Sequence, residues 1–205
     1  MSKKMITVLG NGKNLNCKYT LIDNGEDNVI NTKFVQEALA KTKCNNFNKE
    51  DKIVIFLTED ARNRNWECEG GLKERLENLN IEIIEKNIKD GSTEEEIFEI
   101  VKVMFDTIED NDEIILDITN AFRYLPMLYL AVIQFSKKYK KNIVVDSIYY
   151  GKFQGEDQIA PIINVTDLYR LLNYQYNLNT DEIEEDIEID YGYSELGEVC
   201  KNFLK

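Results

Sequence analysis

Short runs of apolar, β-branched residues alternate along the chain with longer segments whose apolar side chains recur every three to four positions. The short runs predict strands at Met5–Leu9, Ile53–Leu57, Ile81–Ile84, Ile114–Ile118 and Ile143–Ile148. Each has apolar residues at adjacent positions, as a central strand buried on both faces requires. The longer segments predict helices at Lys33–Lys43, Gly71–Leu79, Thr93–Ile108 and Arg123–Lys140. The third opens with Ser92 or Thr93 and three glutamates, which suit a helix N-terminus, and lines Ile97, Ile100, Val101, Met104 and Phe105 along one face. The fourth is so rich in large apolar residues that near-complete burial is expected. Cys17–Ile22 and Val29–Thr32 flank the turn-forming Asp23-Asn24-Gly25-Glu26 and predict a hairpin inserted after the first strand.

The resulting order, β-(hairpin)-α-β-α-β-α-β-α-β, defines an α/β, Rossmann-like fold with a mostly parallel sheet and helices on both faces. Ala160-Pro161-Ile162 is expected to add an edge strand, where a proline is tolerated. After Val165 the character changes. Thr166–Leu178 reads as a helix, and Asn179–Asp190 carries seven acidic residues and no basic one. Ser194–Leu204 reads as a last short helix. Residues 1–176 are therefore expected to form one domain. Residues 177–205 are expected to be an acidic linker and short helix, the start of a second domain or a dimer appendage.

Composition narrows the function. With 205 residues, 43% hydrophobic and 31% charged, the chain suits an ordinary globular protein. Its longest apolar run, around Leu125 to Phe135, is about half a bilayer span, and Met1-Ser2-Lys3-Lys4 leads straight into a strand with no signal-peptide core. A cytoplasmic location is expected, with no membrane partner. A formal charge of −13 argues against general duplex nucleic-acid binding, which needs a basic face. The chain has no histidine, and Cys17, Cys44, Cys68 and Cys200 have no closely spaced partner. Ser-His-Asp and Cys-His nucleophiles, histidine-dependent ribonuclease chemistry and histidine-ligated zinc are excluded within it. No metal or other cofactor is expected; the acidic run lacks calcium-loop spacing.

Open α/β sheets bind ligands at the carboxyl ends of their strands. After the first strand come Gly10, Asn11, Gly12 and Lys13, whose glycines let backbone amides approach a phosphate or simply turn the chain into the hairpin. After the second come Thr58, Glu59, Arg62, Asn63 and Trp66, a set suited to stacking and hydrogen-bonding an unpaired base. Equally, Trp66 suits an anchor for the next helix in the core. After the fourth come Thr119, Asn120, Ala121, Phe122 and Arg123, where a buried strand ends and a helix begins. Arg123 in a first helical turn opposes the helix dipole, which an anionic ligand or a salt bridge to Asp117 or Glu59 would relieve. Of Tyr149 and Tyr150 one should face the core by strand alternation.

The segments Ile6-Thr7-Val8-Leu9-Gly10, Val54-Ile55-Phe56-Leu57-Thr58-Glu59-Asp60-Ala61 and Ile115-Leu116-Asp117-Ile118-Thr119-Asn120-Ala121-Phe122-Arg123-Tyr124-Leu125-Pro126 together resemble the CARF family. These are the CRISPR-associated Rossmann-fold sensors that accompany type III interference complexes. The resemblance covers roughly residues 5 to 176 in collinear order. It implies a homodimer that binds a ring of 3′–5′-linked adenylates, cyclic tetra- or hexa-adenylate, across its two-fold axis. By that analogy Gly10, Asn11 and Gly12 lie near the phosphates, and Thr119, Asn120 and Arg123 line the floor beneath the ring. The subgroup typically has histidine where Asn120 stands; asparagine keeps hydrogen-bonding capacity without a titrating proton. The fused effector is frequently a HEPN ribonuclease, whose site needs an arginine and a histidine.

Three functional classes follow. The leading one is a sensor without chemistry of its own. The second is a metal-independent ring nuclease, in which Lys13, Thr119 and Arg123 would stabilise phosphate charge while a ribose 2′-hydroxyl attacks in line. The third, an ordinary nucleotide-binding Rossmann domain, is disfavoured because neither a phosphate-loop lysine motif nor a complete dinucleotide fingerprint occurs.

Overall fold

In the computed structural model the predicted runs form strands and helices in the expected order. It describes residues 1–23, 26–120 and 124–170, without the side chains of residues 22, 23, 26 and 27. The strands are β1 (Ser2–Leu9), β2 (Cys17–Asp23), β3 (Glu26–Thr32), β4 (Lys52–Leu57), β5 (Glu82–Asn87), β6 (Asp112–Asp117), β7 (Val144–Gly151) and β8 (Ile159–Asn164). The helices are α1 (Val35–Lys43), α2 (Glu59–Ala61), α3 (Leu72–Glu77), α4 (Glu94–Thr107) and α5 (Leu125–Tyr139), with a π-helical turn, Arg62–Trp66, directly after α2. Met1–Tyr169 form one compact unit. The domain end expected at Tyr176, the acidic run and the last helix lie outside the described residues, as do the tip of the hairpin and most of the helix expected from Thr166.

All eight strands join one sheet in the order β3-β2-β8-β7-β6-β1-β4-β5. The run β7-β6-β1-β4-β5 is parallel throughout. After the β2–β3 hairpin the chain builds outward from β1 through β4 and β5, then returns to the other side of β1 for β6 and β7. The reversal leaves a crevice between the carboxyl ends of β1 and β6, a topological switch point.

Alternation along β1 explains the two-layered core. Met5 and Leu9 point to one face, where Val35, Ala38 and Leu39 of α1 and Leu72 and Leu76 of α3 cover them. Ile6 and Val8 point to the other, against Ile100 and Met104 of α4 and Leu125, Tyr129 and Ile133 of α5. Thr93 caps α4, its hydroxyl accepting the Glu96 amide at 3.3 Å, with Glu94, Glu95 and Glu96 in the first turn. Helix α5 buries a single stripe, Leu125, Tyr129, Val132, Ile133 and Ser136, and leaves Met127 72% exposed. Its apolar composition overstates its burial, because it covers the sheet from outside.

Two strand expectations are corrected. The run at Ile81–Ile84 forms β5, shifted to Glu82–Asn87, and it is an edge strand with only partly buried side chains. Charged Glu85 and Lys86 suit an edge. Conversely, β8 lies in the interior between β2 and β7. Pro161 is accommodated because its carbonyl, on the side its missing N–H would share, accepts Lys152 N–H at 2.9 Å just past the end of β7. The hairpin β2-β3 occupies the real edge, joined to the sheet by parallel pairing of β2 with β8.

Candidate functional site

The β1–β4 ladder runs to Leu9↔Leu57, so the loops after both strands start side by side. The β1–β6 ladder carries Ile6↔Leu116 as its last pair, and beyond it Asn120 rises to the level of Gly10. A Cβ added to Gly10 would lie 3.6 Å from Asn120 Cβ, an ordinary contact. The three strand ends enclose a cavity of about 250 Å³ lined by Val8, Leu9, Gly10, Asn11, Gly12, Thr58, Thr119 and Asn120. Residues from three separate segments of the sequence thus share one space.

Hydrogen bonds around the buried Asp117 carboxyl hold its floor. Asp117, the last residue of β6, accepts the Thr119 amide on Oδ1 at 2.9 Å and the Thr7 hydroxyl on Oδ2 at 2.7 Å. Burial pushes the Asp117 carboxyl upward, while its hydrogen bonds from Thr119 and Thr7 pull the other way. Thr119 Oγ1 in turn accepts the Gly151 amide at 2.7 Å, tying the end of β6 to the end of β7. Thr58, 6% exposed, caps α2 by accepting the Ala61 amide at 3.2 Å.

The other predicted residues fall elsewhere. Trp66 is 1% exposed and packs in the core with Leu72 and Leu76, so it offers no face for a base. Its proposed role in stacking is corrected to packing: the π-helical turn swings the indole inward. Arg62 donates to Glu67 at 2.8 Å, Glu85 at 2.5 Å and Asn87 at 2.8 Å, which ties the turn to β5. With Glu59 it lines a second, larger cavity of about 880 Å³ beside α4, which also takes in Asp60, Asp90, Glu96 and Glu99. The two cavities share Asn11 and Thr58. Asn63 and Lys13 are exposed and line neither. Ala121, Phe122 and Arg123 lie outside the described residues. Tyr149 is buried and Tyr150 is 40% exposed, the alternation expected.

One residue escapes a reading of the sequence. Asn65, 7% exposed, donates from Nδ2 to the carbonyls of both Gly10, at 2.7 Å, and Gly12, at 2.9 Å. Asn65 lies within the π turn Arg62–Trp66, and such turns concentrate at functional sites. The one signal available in the sequence is an asparagine-rich loop, Asn63 to Asn65, following the strand that neighbours the Gly-Asn-Gly turn.

An open, mostly parallel sheet with a neutral crevice at its switch point defines an α/β domain of the Rossmann type, and the crevice is its candidate ligand site. The model of a family described as the CARF domain of the CRISPR system endoribonuclease Csx1 matches residues 4–154, and the chain belongs to that family. The CRISPR-associated protein MJ1674 of Methanocaldococcus jannaschii is 31% identical over 91 residues, 42% of this chain and 14% of that protein's length. The chain thus aligns with only a small part of that curated relative. Membership makes it a sensing and binding domain of CRISPR defence. Among the described residues no helix is long and apolar enough to cross a membrane.

Proposed function

We propose that this chain is the sensor domain of a type III CRISPR effector and binds cyclic tetra- or hexa-adenylate across a homodimer axis. The observation that carries this reading is the convergence of Gly10, Gly12, Thr58, Thr119 and Asn120 on one cavity. At about 250 Å³ the cavity is small for a macrocycle of four or more nucleotides. A second copy contributing the same loops would double it and match a symmetric ring. The site also escapes the strongly acidic character of the chain. Its described lining has no charged side chain, and the amides and polar tips it offers suit phosphate oxygens and base edges.

Binding is favoured over cleavage. The described lining contains no side chain that titrates near neutrality and so no general base. Calorimetry with a panel of cyclic oligoadenylates, with light scattering to measure the mass of the complex, tests the proposal. Heat for one ring size at one ring per two chains is expected; no heat for any ring rejects it. Chromatography of labelled ring after long incubation separates sensing from ring-nuclease activity, and intact ring is the expected result.

A further inference from the structure

We propose that Asn65 is a positioning residue that sets the loop after β1 as a two-donor phosphodiester site, with the backbone amides of Asn11 and Lys13 as the donors. The inference rests on the proposed ligand class and names the atoms that would hold it. Both carbonyls bound by Asn65, those of Gly10 and Gly12, belong to peptide groups whose N–H is carried by Asn11 and Lys13. A trans peptide is planar, with its N–H opposite its C=O. Fixing both carbonyls toward one buried nitrogen therefore turns both N–H groups away from it. Asn65 lies behind the loop and does not line the strand-end cavity, whereas Gly10, Asn11 and Gly12 do. The face turned away from Asn65 is thus the open one. Among the described residues neither amide has an acceptor. Asn14 adds a donor to the Gly12 carbonyl at 3.4 Å, reinforcing the same orientation.

The arrangement differs from a helix N-terminus. Its donors are oriented by one side chain from another strand-end segment. Asparagine suits the task because Nδ2 carries two hydrogens, one for each carbonyl. Aspartate, nearly the same shape, would instead set a charged acceptor against two carbonyl oxygens. Both N–H groups can then donate to oxygens along an anionic backbone, where hydrogen bonds to charge are the strong ones.

The test uses amide NMR of the 15N-labelled chain, titrated separately with inorganic phosphate and with cyclic tetra- and hexa-adenylate. Downfield shifts of the Asn11 and Lys13 amides are expected with the ring that binds. The variants Asn65→Ala and Asn65→Asp should lose those shifts and bind the ring roughly tenfold more weakly or worse, with near-ultraviolet circular dichroism reporting whether each still folds. If the ring binds wild type and leaves both amides unmoved, the inference falls while the sensor reading stands. If no ring binds yet phosphate moves both amides, the sensor reading falls and the inference stands. If neither probe moves them, the inference is overturned, whatever the variants do.

Discussion

Asp117 and Thr7 meet across the adjacent strands β6 and β1, the threonine hydroxyl donating to a completely enclosed carboxyl at 2.7 Å. The other carboxyl oxygen holds the Thr119 amide, so one buried acid connects the middle of β1 to the floor of the candidate site. Burial raises its pKa. A carboxyl that keeps its proton to higher pH when folded is relatively stabilising in acid, and that contribution is lost as pH rises from the unfolded value of about 3.9 through the raised one. The variant D117N does not titrate there. Its stability relative to wild type is therefore expected to climb with pH across that window, as measured by urea unfolding of both proteins at a series of pH values. A difference that stays constant contradicts the assignment.

Glu37 behaves in the opposite sense. It is 4% exposed and takes hydrogen bonds from Thr32 at 2.5 Å, Lys41 at 2.5 Å and Arg75 at 3.1 Å, joining the end of β3 to α1 and α3. Burial pushes its carboxyl up, but the bonds from Lys41, Thr32 and Arg75 outweigh it and leave the pKa lowered. Its stabilisation is present above the unfolded value of about 4.3 and lost as pH falls through the lower folded one. E37Q should cost about 1–3 kcal/mol at neutral pH, the range for a buried hydrogen-bonded charge. The gap should close in acid, as chemical denaturation at both pH values will reveal.

Gly151 ends β7 where α1 crosses the end of the sheet. A Cβ there would meet Val35 Cγ2 at 2.6 Å and Thr119 Oγ1 at 3.3 Å. G151A is expected to lose about 1–3 kcal/mol, the usual cost of overpacking, and to weaken ring binding by displacing Thr119. Thermal melting and calorimetry read the two effects separately. An unchanged melt would mean the close approach is not present in solution.

Arg62 provides the contrast. Its guanidinium is already engaged by Glu67, Glu85 and Asn87 outside the strand-end cavity. R62A should leave affinity for the ring within about twofold. It should lower stability by no more than about 1 kcal/mol, because partly exposed ion pairs contribute little. A large loss of binding measured by calorimetry would return Arg62 to the site.

Much of the fold is legible along the chain because burial imposes periodicity. Met5–Leu9 and Ile53–Leu57 are apolar on both alternations, and only a central strand covered on both faces needs that. The cap at Thr93 and the hairpin either side of residues 24 and 25 are legible for local reasons, since caps and turns depend on a few adjacent residues. The strand-end rule likewise marks Gly10, Thr58, Thr119 and Asn120 as candidates from the sequence alone.

What the sequence by itself determined is therefore most of the strands and longer helices, their order and the strand-end loops that are candidates to bear a ligand, because each depends on local pattern. Strand neighbours were decided only in three dimensions. Pro161 marks β8 as an edge until the chain is folded and the missing donor falls just past the end of β7. The fates of Trp66 and Asn65, one sealed in the core and the other clasping Gly10 and Gly12, were decided there too. A π turn rotates side chains off the helical period, and hydrogen bonds between segments more than fifty residues apart leave no local trace in the pattern that precedes them.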